Sequence, residues 1–173
     1  MNLVTLGAGC FWCVEAIFQK VSGISNICCG YSGGKTENPS YEEICSKLTG
    51  HAEVIQFTYN SAIISYEDIL NIFWETHDPT TINQQGADKG PQYRSVIFYH
   101  NDSQRKIAEQ LKKDLNLGEI FDSDVVTQIE KFNTFYIAEE CHQQYFKNNP
   151  SVPYCNYVIK PKLEKFISQH KKI

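Results

Sequence analysis

Cys10 stands between Gly9 and Phe11-Trp12-Cys13, where a short apolar strand gives way to a helical pattern. A cysteine at such a junction meets free backbone N–H groups and the positive end of the helix dipole, which favour thiolate over thiol. The thiolate is the nucleophile of cysteine chemistry. A buried structural cysteine is the alternative reading of the same residue. Three other readings of nearby residues fail. Gly7-Ala8-Gly9 before a helix invites a dinucleotide loop, but that fingerprint needs a glycine where Trp12 stands. Gly34-Lys35-Thr36 resembles the end of a phosphate loop, but its first glycine would be Cys29 and no strong helix follows. Cys10 and Cys13 have the spacing of a zinc half-site, yet no second CxxC exists and Cys28 and Cys29 are adjacent, so no metal is expected.

The elements that must position Cys10 can be read from apolar periodicity and capping residues. Leu3–Leu6 predicts a strand. Val14, Ile17, Phe18 and Val21 predict a helix from about Cys10 or Phe11 to before Gly23. Ile24–Tyr31 predicts a second strand, and Ser40 with Glu43 predicts a capped short helix. In Ala52–Tyr59, Val54, Gln56 and Thr58 alternate with Ile55, Phe57 and Tyr59, the pattern of a strand. Ser65 with Asp68 opens a helix whose apolar face is Ile69, Leu70 and Phe73. Residues 77–94 have no period, and a loop of that length is expected to be functional. Ser95–Tyr99 predicts a strand, and Asp102 is expected to cap a helix with Ile107, Ala108, Leu111 and Leu115 inward. Further on, a strand is predicted over Val125–Glu130 and a helix over Ala138–Lys147. A last helix over Pro161–His170 buries Leu163, Phe166 and Ile167. The order from 3 to 99 is strand, helix, strand, strand, helix, strand. It predicts an α+β fold, a two-layer ferredoxin-like sandwich with helices packed on a mixed sheet. No repeat or linker divides the 173 residues, so one domain is expected over 1–173, with a core at about 3–130 and an extended C-terminal segment at about 131–173.

Composition narrows the function classes. Twenty acidic against 16 basic residues give a net charge of -4, which offers nothing to nucleic acid. No apolar run approaches the roughly 18 residues of a membrane span. No basic residue precedes Lys20, unlike a secretory signal. Seven cysteines are an odd number and too dilute for a disulfide scaffold, so thiol chemistry in a reducing, cytoplasmic setting is expected.

Eight blocks then run in order along the chain: Gly9-Cys10-Phe11-Trp12, Gly30-Tyr31-Ser32-Gly33-Gly34, Asn38-Pro39-Ser40-Tyr41, Gly50-His51-Ala52-Glu53, His77-Asp78-Pro79-Thr80, Gln85-Gly86-Ala87-Asp88, Gln92-Tyr93-Arg94-Ser95 and His142-Gln143-Gln144-Tyr145. Together they resemble the peptide methionine sulfoxide reductases of the A class over residues from about 5 to 155. The resemblance implies an enzyme that reduces the S epimer of methionine sulfoxide, free or in proteins, with no metal or organic cofactor. It implies that Cys10 attacks the electrophilic sulfoxide sulfur and that Glu53, buried enough to stay protonated, supplies a proton to the departing oxygen. Tyr41 and Tyr93 would stabilise charge growing on that oxygen, and Asp88 would position a water or the substrate. Phe11 and Trp12 would receive the S-methyl group, a contact worth about 0.3–1.5 kcal/mol. Gly33 and Gly34 are expected to serve the backbone, and His51 and His142 to be structural hydrogen-bonders.

Cys10 would be left as sulfenic acid, which condenses with a second thiol to a disulfide that thioredoxin, the implied partner, reduces. By resemblance the resolving thiol is Cys155, after Tyr154. Cys13 is the rival, since positions i and i+3 in a first helical turn come within disulfide range, and a chain without an internal resolver is the third reading. Cys28, Cys29, Cys45 and Cys141 are expected to have packing roles. Two alternatives stand beside the reductase: a general CxxC dithiol–disulfide oxidoreductase, and a non-catalytic redox-sensing module that keeps the pocket. A monomer is expected.

Overall fold

Period-two alternation builds the centre of the molecule. The structure is a computed structural model that describes residues 2–170. Strand β1 (Asn2–Ala8) sends Val4, Leu6 and Ala8 to one face, and β3 (Ala52–Tyr59) sends Ile55 and Phe57 to the same face. With β2 (Ile24–Ser32), β6 (Ser95–Tyr99), β7 (Gln128–Lys131) and β8 (Phe135–Ile137) they form a six-stranded sheet in the order β7-β6-β1-β3-β2-β8. All neighbours are antiparallel except β6 and β7. Strand β3 therefore lies between β1 and β2, a split βαβ unit closed by helix α1 (Phe11–Phe18).

One apolar cluster runs from Val4 to Phe166 and takes in α1, α3 (Tyr66–Glu75), α4 (Asp102–Leu117) and α6 (Lys160–Gln169). The other face carries a smaller cluster of Ala52, Val54, Val96 and Phe98 under Phe132 and Phe135. Both expected capping boxes form: Ser40 with Glu43 opens α2 (Tyr41–Cys45), and Ser65 with Asp68 opens α3. No helix among the described residues is long and apolar enough to cross a membrane.

Several expectations need correction. The cap of α4 is Asn101, whose side chain accepts the Gln104 N–H, and Asp102 is the first helical residue. The strand expected at Val125–Glu130 begins only at Gln128, because Val126 N–H is taken by Pro79 C=O outside the ladder. Ala138–Lys147 is not one helix: a single tight turn at Glu140–His142 is followed by Gln144 at φ +50°, and only Tyr145–Asn148 (α5) is helical. Ile167 is exposed; Leu163 and Phe166 bury α6 with Ile159. Ile159 closes a wide π-type turn, Cys155–Ile159, that runs straight into α6. The long loop holds a two-stranded hairpin, β4 (Gln84–Gln85) and β5 (Asp88–Lys89), and a short turn at Pro91–Tyr93.

Candidate active site

Register brings the first two groups together. Leu6 pairs with Ile55, so Glu53 falls beside Ala8, just where β1 leaves for α1. Its alternation with Ile55 and Phe57 turns the carboxyl to the helix face. There Phe11 N–H, one of the N–H groups that the first turn of α1 leaves free, donates to Glu53 Oε2 at 3.1 Å. Cys10 is the N-cap of α1, but its thiol makes no cap bond and is available for other work. Gly9 before it sits at φ +89°, and a Cβ there would lie 2.6 Å from Gln85 Cγ, so the backbone swings through this corner only as glycine.

Burial decides the ionisation of this pair. Glu53 is 2% exposed. Desolvation pushes its carboxyl up to about 8, against the opposing pull of the Phe11 N–H, so it is a neutral acid at pH 7. Burial also pushes the Cys10 thiol well up, and its hydrogen bond with Cys13 and the nearby Glu53 add to that. The helix N-terminus is expected to favour the Cys10 thiolate; desolvation opposes it here and is the larger effect. The same hydrogen bond from Cys10 draws the Cys13 thiol down, with Lys162 helping. Cys155 is fully buried at the head of the wide turn, close enough to Cys13 for their charges to interact.

Two phenols lie near enough to Glu53 for their charges to interact with it. Tyr41 opens α2 and Tyr93 ends the Pro91–Tyr93 turn, and both are half-buried. Desolvation first, and nearby charges including Glu53, push both hydroxyls far up, so they are donors across the whole working pH range. Asp88 on β5 accepts the Tyr154 hydroxyl at 2.8 Å, and that hydroxyl lies 3.7 Å from Cys13 Sγ. Phe11 and Trp12 form a tilted pair with ring centroids 6.1 Å apart. Tyr145 stacks on Trp12 at 3.7 Å and 7°, and Tyr154 meets it edge-on. His142 accepts Trp12 Nε1–H at 3.3 Å and packs against Tyr41 at 4.4 Å. His51 holds the loop at Gly34 and Thr36, where a Cβ on Gly34 would come within 2.4 Å of His51 N.

Some contributors are not legible in the sequence reading. Glu139 accepts Tyr31 OH at 2.9 Å and Tyr41 N–H at 2.8 Å, so it fixes the start of α2 under Tyr41. The helix expected over Ala138–Lys147, which would include Glu139, does not form. Glu15, 1% exposed, accepts backbone N–H groups of residues 144 and 145. Its signal was a lone acid inside Val14-Glu15-Ala16-Ile17-Phe18. Cys29 is buried and Cys28 half-buried, as a packing role asks, but Cys45 and Cys141 are exposed and pack no core. One open cleft, lined by Trp74, His77, Lys162 and Phe166 among others, contains none of Cys10, Glu53, Tyr41 or Tyr93.

The family model described as "Peptide methionine sulfoxide reductase" matches residues 2–173. A relative from Leptospira borgpetersenii serovar Hardjo-bovis, named peptide methionine sulfoxide reductase MsrA, is 53% identical over 167 residues, covering 96% of this chain and 94% of its own length. Mxr1 from Saccharomyces cerevisiae in reduced form superimposes with a TM-score of 0.83 at 36% identity, covering 89% of this chain and 88% of that one. Mxr1 in complex with Trx2 superimposes less closely, with a TM-score of 0.59 at 27% identity over 83% and 84% of the two chains.

Proposed function

The chain belongs to the peptide methionine sulfoxide reductase family, and from that premise we propose that it reduces methionine S-sulfoxide, free or in proteins, with Cys10 as nucleophile and Glu53 as proton donor. The observation that carries the reading is the buried, neutral Glu53 carboxyl on the Phe11 N–H, next to the Cys10 thiol.

The reaction balances with these groups. The sulfoxide sulfur is positively polarised, and its arrival beside Cys10 favours loss of the thiol proton that burial otherwise retains. Cys10 sulfur attacks it. Glu53 protonates the oxygen, and Tyr41 and Tyr93 hydroxyls hold the charge that grows there. The Cys10 thiol proton passes back to Glu53, the S–O bond breaks as hydroxide departs, and hydroxide then attacks the Cys10 sulfur, so that the transient bond between the two sulfurs breaks, methionine leaves and Cys10 is left as sulfenic acid. Two electrons pass from the cysteine sulfur to the substrate sulfur. Phe11 and Trp12 receive the S-methyl group. Asp88 acts through the Tyr154 hydroxyl it already holds, or on a water at the same place.

A second thiol then attacks the sulfenic acid, releasing water and forming a disulfide. Cys13 lies in the first turn of α1 beside Cys10, its N–H on the Cys10 carbonyl at 3.1 Å, whereas Cys155 is fully buried in the wide turn, so in this proposal Cys13 closes the first disulfide. Cys155 follows only by leaving the wide turn. Thioredoxin, the class of partner that Mxr1 binds as Trx2, returns both sulfurs to thiols by exchange. The dilute, odd-numbered cysteines fit a cytoplasmic setting. Every residue named comes from one chain.

The test is a single turnover without reductant. One equivalent of methionine S-sulfoxide should release one of methionine, and Cys10→Ser should release none while its fold persists. Turnover retained by Cys10→Ser removes the nucleophile assignment. Peptide mapping after that turnover should find Cys10 joined to Cys13; a Cys10–Cys155 link with Cys13 still free would give resolution to the C-terminal segment.

A further inference from the structure

Glu15 is a buried acid that the reaction above does not use. Every residue of α1 is buried except Trp12, which is half-buried. Trp12 and Glu15 lie one turn apart on the same side of the helix. Glu15 Oε1 accepts Gln144 N–H at 2.8 Å, and Oε2 accepts Tyr145 N–H at 3.2 Å. These are the first N–H groups of α5, and Gln144 at its N-cap makes no side-chain cap of its own. Gln144 also sits at φ +50°, a conformation that a non-glycine residue holds only when its surroundings enforce it. Glu15 is the external cap that enforces it. What the turn then delivers is Tyr145, stacked 3.7 Å from Trp12 and nearly parallel to it.

We propose that Glu15 is a positioning residue for substrate binding: its two oxygens clamp the Gln144–Tyr145 turn so that Tyr145 backs the Trp12 ring, and the indole is held ready for the sulfoxide's S-methyl group. This rests on the reductase reading above. Preorganisation of one wall acts on affinity, because a side chain already fixed loses less freedom when substrate binds. It leaves the S–O bond cleavage, which Cys10 and Glu53 carry out, unaltered. The neighbours support the arrangement. Gln143 is tied to β2 through Cys29 N–H and C=O, and His142 to Trp12, so the whole block from His142 to Tyr145 is docked on α1 and β2.

The experiment is single-turnover methionine release against substrate concentration in four proteins: unaltered, Glu15→Gln, Tyr145→Leu and the double variant. Gln keeps the shape of Glu15 but turns an N–H toward one of the two backbone donors. Each single variant should raise the half-saturating concentration about fivefold, the loss expected for one stacked aromatic pair, with the limiting rate within about twofold. The double variant should be no worse than either alone, because both act through the same ring. Glu15→Asp withdraws the oxygens by one methylene, and is read in place of Glu15→Gln should the latter not fold; it should move half-saturation the same way. A merely structural Glu15 would lower thermal stability and leave half-saturation unmoved. That result, a half-saturating concentration unchanged by Tyr145→Leu, or additive effects in the double variant would overturn the inference. No methionine from the unaltered protein would remove the reductase reading itself.

Discussion

Replacing Glu53 by Gln should make the protein more stable and the reaction slower, and both effects follow from burial. In the folded chain the carboxyl holds its proton up to about 8, whereas an ordinary glutamate loses it near 4.5. The unfolded chain therefore binds fewer protons than the folded one throughout that interval, and stability falls as pH rises across it, by about 1.4 kcal/mol per unit. Between about pH 5 and pH 7.5 that amounts to about 3 kcal/mol, present at the acid end and lost at the alkaline end. Gln carries no such titration and still accepts the Phe11 N–H. The difference in unfolding free energy, variant minus unaltered, should thus rise by about 3 kcal/mol over that range in urea titrations. In the same samples, single-turnover methionine release should drop by about 10²–10⁴-fold in the variant, the usual contribution of a positioned acid. In the unaltered protein it should decline as pH passes about 8. A stability difference that stays flat with pH would refute the claim that the carboxyl is neutral in the fold, and with it the proton-donor role.

Three smaller perturbations test other joints of the site. Tyr154→Phe removes the hydroxyl that Asp88 accepts at 2.8 Å and should cost about 1.5–3 kcal/mol, read by urea titration, with earlier proteolytic cutting near the wide turn. Ser40→Ala breaks the capping box of α2 and should cost about 1 kcal/mol; because that helix begins at Tyr41, methionine release should slow as well. Gly34→Ala drives a methyl to within 2.4 Å of the His51 backbone nitrogen and should lower stability by more than about 2 kcal/mol by the same titration.

Local chemistry was legible before any coordinates. The two capping boxes, the alternation of Ala52–Tyr59 and the strand Ser95–Tyr99 depend on neighbours a few residues away, and all form as read. Cys10 and Glu53 stand out by the residue blocks around them, but their juxtaposition comes from the pairing of β1 with β3, which no local pattern states. What escaped depends on distant partners. The helix expected at Ala138–Lys147 is overridden by Glu15 and Cys29, more than a hundred residues earlier, which claim the polar groups of Gln143 to Tyr145. The Tyr154–Asp88 bond spans 66 positions. The desolvation of Cys10 is of the same kind, since a helix dipole can be read from sequence and burial by distant elements cannot.

The wide turn at Cys155–Ile159 has a consequence of its own. Such a turn amounts to one surplus residue lodged in a helix. The helix can shed that surplus by tightening to the ordinary pitch, which frees a residue's length of chain upstream while Leu163 and Phe166 stay seated. The irregular turn and the buried sulfur thus stand at the same end of this segment, so any loosening there bears on Cys155 before it reaches the packed helix behind.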